Sequence, residues 1–368
     1  MKTADWIRAL AVTALMASAC GGSTPTAGNT PSPSAATSPS ASPTANPCPP
    51  PSNRCLALVT LRGSDSIVVR DITDIAHPTT LSNAGPVSMS MFVSATELSY
   101  SDDTGIVRAP LAGAPKTRLT TSHGLALYSY AWSPDGRTLA YLTQSGSGIA
   151  LHELRGGSDR VLEGAMPAIP AIGCESQFCP IADTLDIRVS YSPDGGSISL
   201  VASVLKVNVF RLWSSDGKVL SSSDSQARSM STWSGNSLYF RDAGGVEMWR
   251  DGTTSPFLPG VVWIRPKASP IGGQIVYETR DAHHLAHTFV VDTATRKIRE
   301  LPKGRFDPWF LTSRYVWYQG QRSCVAADHC PTGWSAISSG KTYIYDLVAG
   351  TETESIITGV YDVWPHPA

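Results

Sequence analysis

The segment Tyr128 to Tyr141, YSYAWSPDGRTLAY, constrains this chain more than any other stretch, because its pattern returns along the sequence. Alternation from Tyr128 through Tyr130 to Trp132 predicts a half-buried strand, Pro134-Asp135-Gly136 predicts a turn, and Leu139-Ala140-Tyr141 resumes as a second strand. Proline cannot continue a central strand and glycine tolerates positive φ, so the chain must reverse there. A second copy, Tyr191-Ser192-Pro193-Asp194-Gly195 followed by Ile198 and Leu200, keeps the same seven-residue step from pre-turn aromatic to post-turn anchor. Weaker copies are Phe92 with Leu98 and Tyr100, Trp233 with Leu238 and Phe240, Ala268-Ser269-Pro270 with Ile275 and Tyr277, and Trp309 with Tyr315 and Trp317.

The post-turn anchors fall at positions 98, 139, 198, 238, 275 and 315, a spacing near forty broken only where an insertion, Pro167 to Leu185, lengthens one step. Each anchor is followed by a further apolar run, such as Gly148 to Leu154, Val207 to Trp213, Thr288 to Asp292 or Lys341 to Leu347, and then by a short fourth segment such as Arg160 to Leu162 or Lys297 to Leu301. Four short strands per forty residues, repeated, describe the blade of a β-propeller. Six units are complete, and a seventh is split between the ends. Cys55 to Leu61, Ser66 to Ile72 and Pro78 to Leu81 supply three strands, while Tyr361 to Pro365 supplies the innermost one. The expectation is an all-β, seven-bladed β-propeller, with six blades as the alternative, its ring closed by a C-terminal strand that joins the N-terminal blade and covers an open sheet edge.

The aromatic-Ser-Pro-Asp-Gly turn followed by Leu-x-Tyr resembles the repeat of TolB-like and WD-repeat-like propellers, over roughly residues 55 to 368. The resemblance implies the fold. It leaves function open, since the same repeat serves binding proteins and the non-catalytic domains of larger enzymes.

Ahead of the repeats, residues 1–19 carry Lys2 and Arg8, the apolar run Ala9 to Met16, and Ala17-Ser18-Ala19 before Cys20. A run this short reads as a signal-peptide core and cannot span a bilayer. Small residues ending at Cys20 resemble a bacterial lipoprotein cleavage site, which implies that Cys20 becomes a lipidated N-terminus and that the protein sits on the extracytoplasmic side of the cell membrane. Residues 20–47 are then the lipidated cysteine and a Ser/Thr/Pro/Ala tether with no hydrophobic periodicity, and residues 48–368 are the propeller. With 29 basic against 30 acidic residues and no basic stripe, a nucleic-acid surface is excluded.

The six cysteines other than Cys20 fall in close pairs, Cys48 with Cys55, Cys174 with Cys179 and Cys324 with Cys330. Local disulfides suit an exported chain, whereas none of the pairs has the two-residue gap that zinc knuckles use. No metal and no cofactor are expected.

In a propeller the Ser-Pro-Asp-Gly turns share one face, and the second-to-third-strand loops and blade linkers share the other. The longest insertions, Pro167 to Leu185, Asp281 to His287 and Gln319 to Gly340, all belong to that second face, where irregular loops on a rigid scaffold carry binding. Phe178, His283, His284, His287 and Trp334 are the candidate partner-binding residues. Asp135 and Asp194 are expected to hydrogen-bond their own turns, and Trp132, Trp233, Trp309 and Trp364 to pack between blades. No Gly-x-Ser-x-Gly elbow, phosphate loop or helical zinc-protease motif occurs, so no catalytic residue is assigned. The expected function is a lipid-anchored propeller that binds a protein, peptide or glycan through its long-loop face. The alternative is a propeller hydrolase or lyase of extracellular polysaccharide, whose paired carboxylates would leave no linear spacing.

Overall fold

The computed structural model describes residues 48, 54–63, 66–85, 90–102, 105–113, 115–120, 130–145, 148–168, 186–204, 207–224, 228–325, 328, 330 and 335–366. These residues form seven antiparallel four-stranded sheets. Counting blades from the N-terminus, the innermost strands are Ile357–Trp364, Met91–Ser94, Tyr130–Trp132, Asp186–Tyr191, Ser229–Ser234, Ile264–Ala268 and Arg305–Phe310. In blades two to seven the chain runs outward through the sheet in sequence order. In blade one the innermost strand is the last in the chain and pairs with Leu56–Leu61, Trp364 opposite Leu56 and Ile357 opposite Leu61. Six blades are thereby ruled out, and the C-terminal closure expected from the half repeat is present.

The repeat positions pair as its logic requires. Trp132 faces Leu139, Tyr191 faces Ile198, Trp233 faces Leu238 and Ala268 faces Ile275 across the turn. At the first turn the Ser133 hydroxyl donates to Asp135 Oδ1 (2.6 Å), which also accepts the Arg137 N–H (3.1 Å); Ser192 and Asp194 repeat the arrangement. This local network is why Ser and Asp bracket the proline. Gly136 is at φ 66°, and a Cβ there would stand 2.9 Å from the Val93 carbonyl oxygen, so the turn abuts blade two and only glycine fits.

Blade seven corrects the expected alignment by one residue. Phe310 pairs with Val316, and Phe310, Val316 and Tyr318 pack toward blade six, while Trp317 faces blade one. The repeat residues are therefore Phe310, Val316 and Tyr318 rather than Trp309, Tyr315 and Trp317. Trp309-Phe310 and Tyr315-Val316 are apolar at both positions, so residue type does not mark the faces, and a one-residue slip exchanges them.

The tryptophans divide accordingly. Trp132 and Trp233 are buried and donate their indole N–H groups to Ser99 Oγ (2.8 Å) and Ser199 Oγ (3.1 Å) of the preceding blades. Trp309 and Trp364, expected in the core, are only half-buried against it. Fully buried Trp317 takes the inter-blade place, donating to the Ile357 carbonyl across the junction of blades seven and one (3.0 Å).

Every blade junction carries a further bond from a side chain to backbone. Arginine donates to a carbonyl of the adjoining blade or the linker before it from Arg108 to Gly136 (3.2 Å), Arg160 to Ser215 (3.2 Å), Arg188 to Ser231 (2.6 Å), Arg241 to Trp263 (3.5 Å), Arg299 to Leu347 (2.6 Å) and Arg62 to Ser355 (3.3 Å). Between blades one and two the direction reverses, the Phe92 N–H donating to Asp362 Oδ2 (2.7 Å).

Deleting residues 357–366 removes the inner strand of blade one and exposes Ala57, Val59 and Trp317. The expected outcome is loss of the cooperative melting transition; an unchanged melting temperature would show that the ring does not depend on this closure. The Asp362 carboxylate also meets His366 Nε2 at 3.0 Å. Burial alone would lower the His366 pKa, but the Asp362 charge and hydrogen bond outweigh it and hold it above 6.5. The pair thus contributes stability that is complete below about pH 6.5, the unfolded-state value, and is lost as pH rises through the higher folded-state value. Melting temperatures measured across that range should fall more for the wild type than for His366→Gln, and parallel curves would refute the contribution.

Candidate functional site

The face opposite the Ser-Pro-Asp-Gly turns bears a built surface on blades six and seven. The blade-six loop is a tight turn capped by Asp281, whose Oδ1 accepts the N–H groups of His283 (2.8 Å) and Leu285 (3.0 Å). His284 sits at φ 62°, a left-handed conformation that the turn imposes. His287 lies beyond the loop, in the strand Ala286–Asp292, with its Nδ1 3.1 Å from Glu300 Oε1. The three histidines are thus separated by the turn and form no shared ligand set among the described residues.

Blade seven also differs from the expected long loop over Gln319 to Gly340. Its second strand continues to Ser323 and its third starts at Ala336, so half of the insertion is an extended hairpin. Alternation through Tyr318-Gln319-Gly320-Gln321-Arg322 prolongs the ladder, and a register shift after Gln319 lets the hairpin bend. At its tip the chain is bonded from Cys324 to Cys330, and Arg322 holds Asp328 through two bonds of 2.6 and 2.7 Å.

The two blades are joined here. Ser335 donates from both N–H and hydroxyl to the His283 carbonyl (3.0 Å each), Gln321 Nε2 donates to the His284 carbonyl (3.2 Å), and Gln321 Oε1 accepts the Ala286 N–H (2.8 Å). The loops therefore present a single surface.

At the same ends of blades six and seven lies a charged group that sequence reading missed. Glu278 is wholly buried, with Arg280 Nε 2.7 Å from its Oε1 and the Asp307 N–H donating to its Oε2 (2.8 Å). Arg265 stands 3.7 Å from Glu278 and 3.8 Å from Asp307, and Gln319 donates to Asp307 (3.2 Å). Burial pushes the Glu278 carboxyl above its ordinary range, opposed by Arg280 and Arg265. Arg265 and Asp307 occupy left-handed φ values of 50° and 52° at bulges in consecutive inner strands, each just before a proline. Arg265-Pro266 and Asp307-Pro308, at matching places in successive repeats, were the available sequence signal. Bulges of this kind re-aim side chains and carry strain where a structure uses it.

The remaining expectations sort simply. The Cys48–Cys55 disulfide is present. Cys20, Phe178, Cys174, Cys179 and Trp334 lie outside the described residues.

No family model and no curated protein matches the chain. Solved structures do. Prolyl oligopeptidase B from Galerina marginata aligns at TM-score 0.54 and 10% identity over 82% of this chain and 47% of its own. One of two prolyl endopeptidases solved together aligns at 0.53 and 10%, over 86% and 49%. TolB from Acinetobacter baumannii aligns at 0.46 and 15%, over 84% and 65%. This chain spans about two thirds of that TolB and about half of each peptidase. At these identities the likeness extends to the propeller fold alone, which the strand order already establishes.

Replacing Glu278 by Ala removes the carboxylate that Arg265, Arg280 and the Asp307 N–H all face, and should destabilise the protein by about 3–5 kcal/mol. Glu278→Gln, which keeps an acceptor, should lose less. Denaturant titration of both variants checks this, and equal midpoints for Glu278→Ala and wild type would show that the group is energetically idle.

Proposed function

We propose that this chain is a lipid-anchored, extracytoplasmic propeller that binds a protein, peptide or glycan partner through the loop face of blades six and seven. The observation that carries the reading is the welding of the His283–His284 turn to the disulfide-bonded hairpin through Ser335 and Gln321. Loops that only connect strands need no bonds to one another, whereas a surface held in one shape loses less entropy when a partner orders it. Its position adds support. Leu56 pairs with Trp364 at the end of blade one that corresponds to the Ser-Pro-Asp-Gly turns, so the first strand of the ring starts on the turn face, away from the loops of blades six and seven. Lipidation at Cys20 rests on the Ala-Ser-Ala-Cys stretch of the sequence, and the candidate contacts Phe178 and Trp334 rest on their place in the same face's insertions.

The test is capture of binding partners from intact cells, together with a glycan panel scored for both retention and cleavage. His283→Ala and His284→Gly, the latter keeping the left-handed backbone, should weaken capture while melting like the wild type. Asp135→Asn and Asp194→Asn, on the turn face, should capture normally. The opposite pattern would place binding on the turn face, and reproducible turnover of any glycan would make the protein an enzyme.

A further inference from the structure

The two described disulfides differ in access. Cys48 and Cys55 are 1% and 0% exposed, whereas Cys324 and Cys330 are half-buried at the rim of the loop face. A thiolate can attack the second pair far more readily than the first, because exchange requires approach along the sulfurs. Asp328 lies within the same loop, and its carboxylate and the two Sγ atoms all fall within 4.8 Å of one another. Among the described residues no other three of Cys, His, Asp and Glu converge in this way. Asp328 is fixed in place, Arg322 donating to both oxygens and the Val325 N–H donating to Oδ2 (2.9 Å).

We propose that reduction of the Cys324–Cys330 bond converts this loop into a binding site for a thiophilic divalent cation of the zinc class, with Cys324, Cys330 and Asp328 as ligands. A dithiol reductant cleaves the S–S bond, passing two electrons and two protons to the sulfurs, and itself closes to a disulfide. Metal binding then displaces the two thiol protons. Two thiolates and one carboxylate occupy three positions of a tetrahedral ion, and water fills the fourth. The charges close in both states. With the disulfide intact, Arg322 balances Asp328; with the metal bound, three anionic ligands exceed the divalent ion by one charge, and Arg322 balances that. The guanidinium meets both carboxylate oxygens, so it orients the ligand as an outer-shell partner does.

The exchange also bears on the binding surface. Cys324 donates its N–H to the Ser335 carbonyl (2.9 Å), and Ser335 donates to His283. Either the disulfide or the metal draws the hairpin tip together beside Ser335. The reduced, metal-free loop has neither clasp.

The experiment uses the full chain, reduced with a phosphine that is then removed under argon, and titrated with Zn²⁺ against a chromophoric chelator. Cys324→Ser/Cys330→Ser, treated identically, subtracts any uptake at other thiols, and melting curves of the metal-free proteins confirm that each variant is folded. The reduced wild type should bind one more Zn²⁺ per chain than the double variant, and Co²⁺ in its place should show a sulfur-to-metal charge-transfer band. Asp328→Asn should weaken binding by at least about ten- to hundredfold, the range seen on losing an outer-shell partner, and the oxidised chain should lack the site. Equal uptake by reduced wild type and double variant would overturn the proposal. So would wild-type affinity in Asp328→Asn.

Discussion

The ladder between Leu56–Leu61 and Ile357–Trp364 is the constraint on which the rest of the molecule depends. A ring of sheets has no fold until it closes, because each blade buries one face against the next and the last must find the first. Here the closing contact joins residues some three hundred positions apart, and it is built like the others. The strand supplies Val360 and Val363 to the core toward blade seven and Trp364 toward blade two, while Asp362 accepts a backbone N–H from blade two. Closure therefore completes two hydrophobic interfaces at once, and neither can form without it.

Around the ring, apolar packing and directional bonds share the work differently. The clusters between blades are made of interchangeable Val, Leu, Ile and aromatic side chains, which set spacing without fixing angle. Angle is set by the arginines that reach to carbonyls of neighbouring blades, by the indole bonds of Trp132, Trp233 and Trp317, and by Asp362. Where blades six and seven meet, the same device turns ionic. A buried carboxylate with two arginines adds to the Arg299-to-Leu347 bond there, and the strained residues Arg265 and Asp307 stand beside it. Extra polar definition at this junction underlies the rigid surface formed by the loops above it.

Architecture was legible in the sequence because a blade is short and repeats itself. Aromatic before the turn, Ser-Pro-Asp-Gly at the turn and apolar-x-apolar after it are local demands, each met by residue type, and the half repeat at Tyr361 announced the closure. The slip at Trp309 shows the limit. Both neighbours are apolar and aromatic, so Trp309 and Phe310 could not be ranked by hydrophobicity, and only pairing with Trp317 and Val316 decides between them. The charged group around Glu278 was hidden for a different reason. Its members come from four strands of two blades, and no linear spacing records their convergence. The extended hairpin at Gln319 to Ser323 was read as loop because glycine and polar residues continue a strand there without any apolar face to betray it.

The place where the chain enters also has a mechanical meaning. Leu56–Leu61 lies between two partners, Ile357–Trp364 on its inner side and Ile67–Asp71 on its outer side. Tension applied along this strand's own axis acts across bonds that run perpendicular to it. All rungs of both ladders then share the load together, where a strand at a sheet's outer edge would be peeled away one rung at a time. The covalent clip from Cys48 to Cys55 keeps the intervening residues from paying out before the ladders are loaded. Leu56–Leu61 is thus the strand whose withdrawal would open the ring, and it is seated so that withdrawal along its own axis meets the resistance of both ladders.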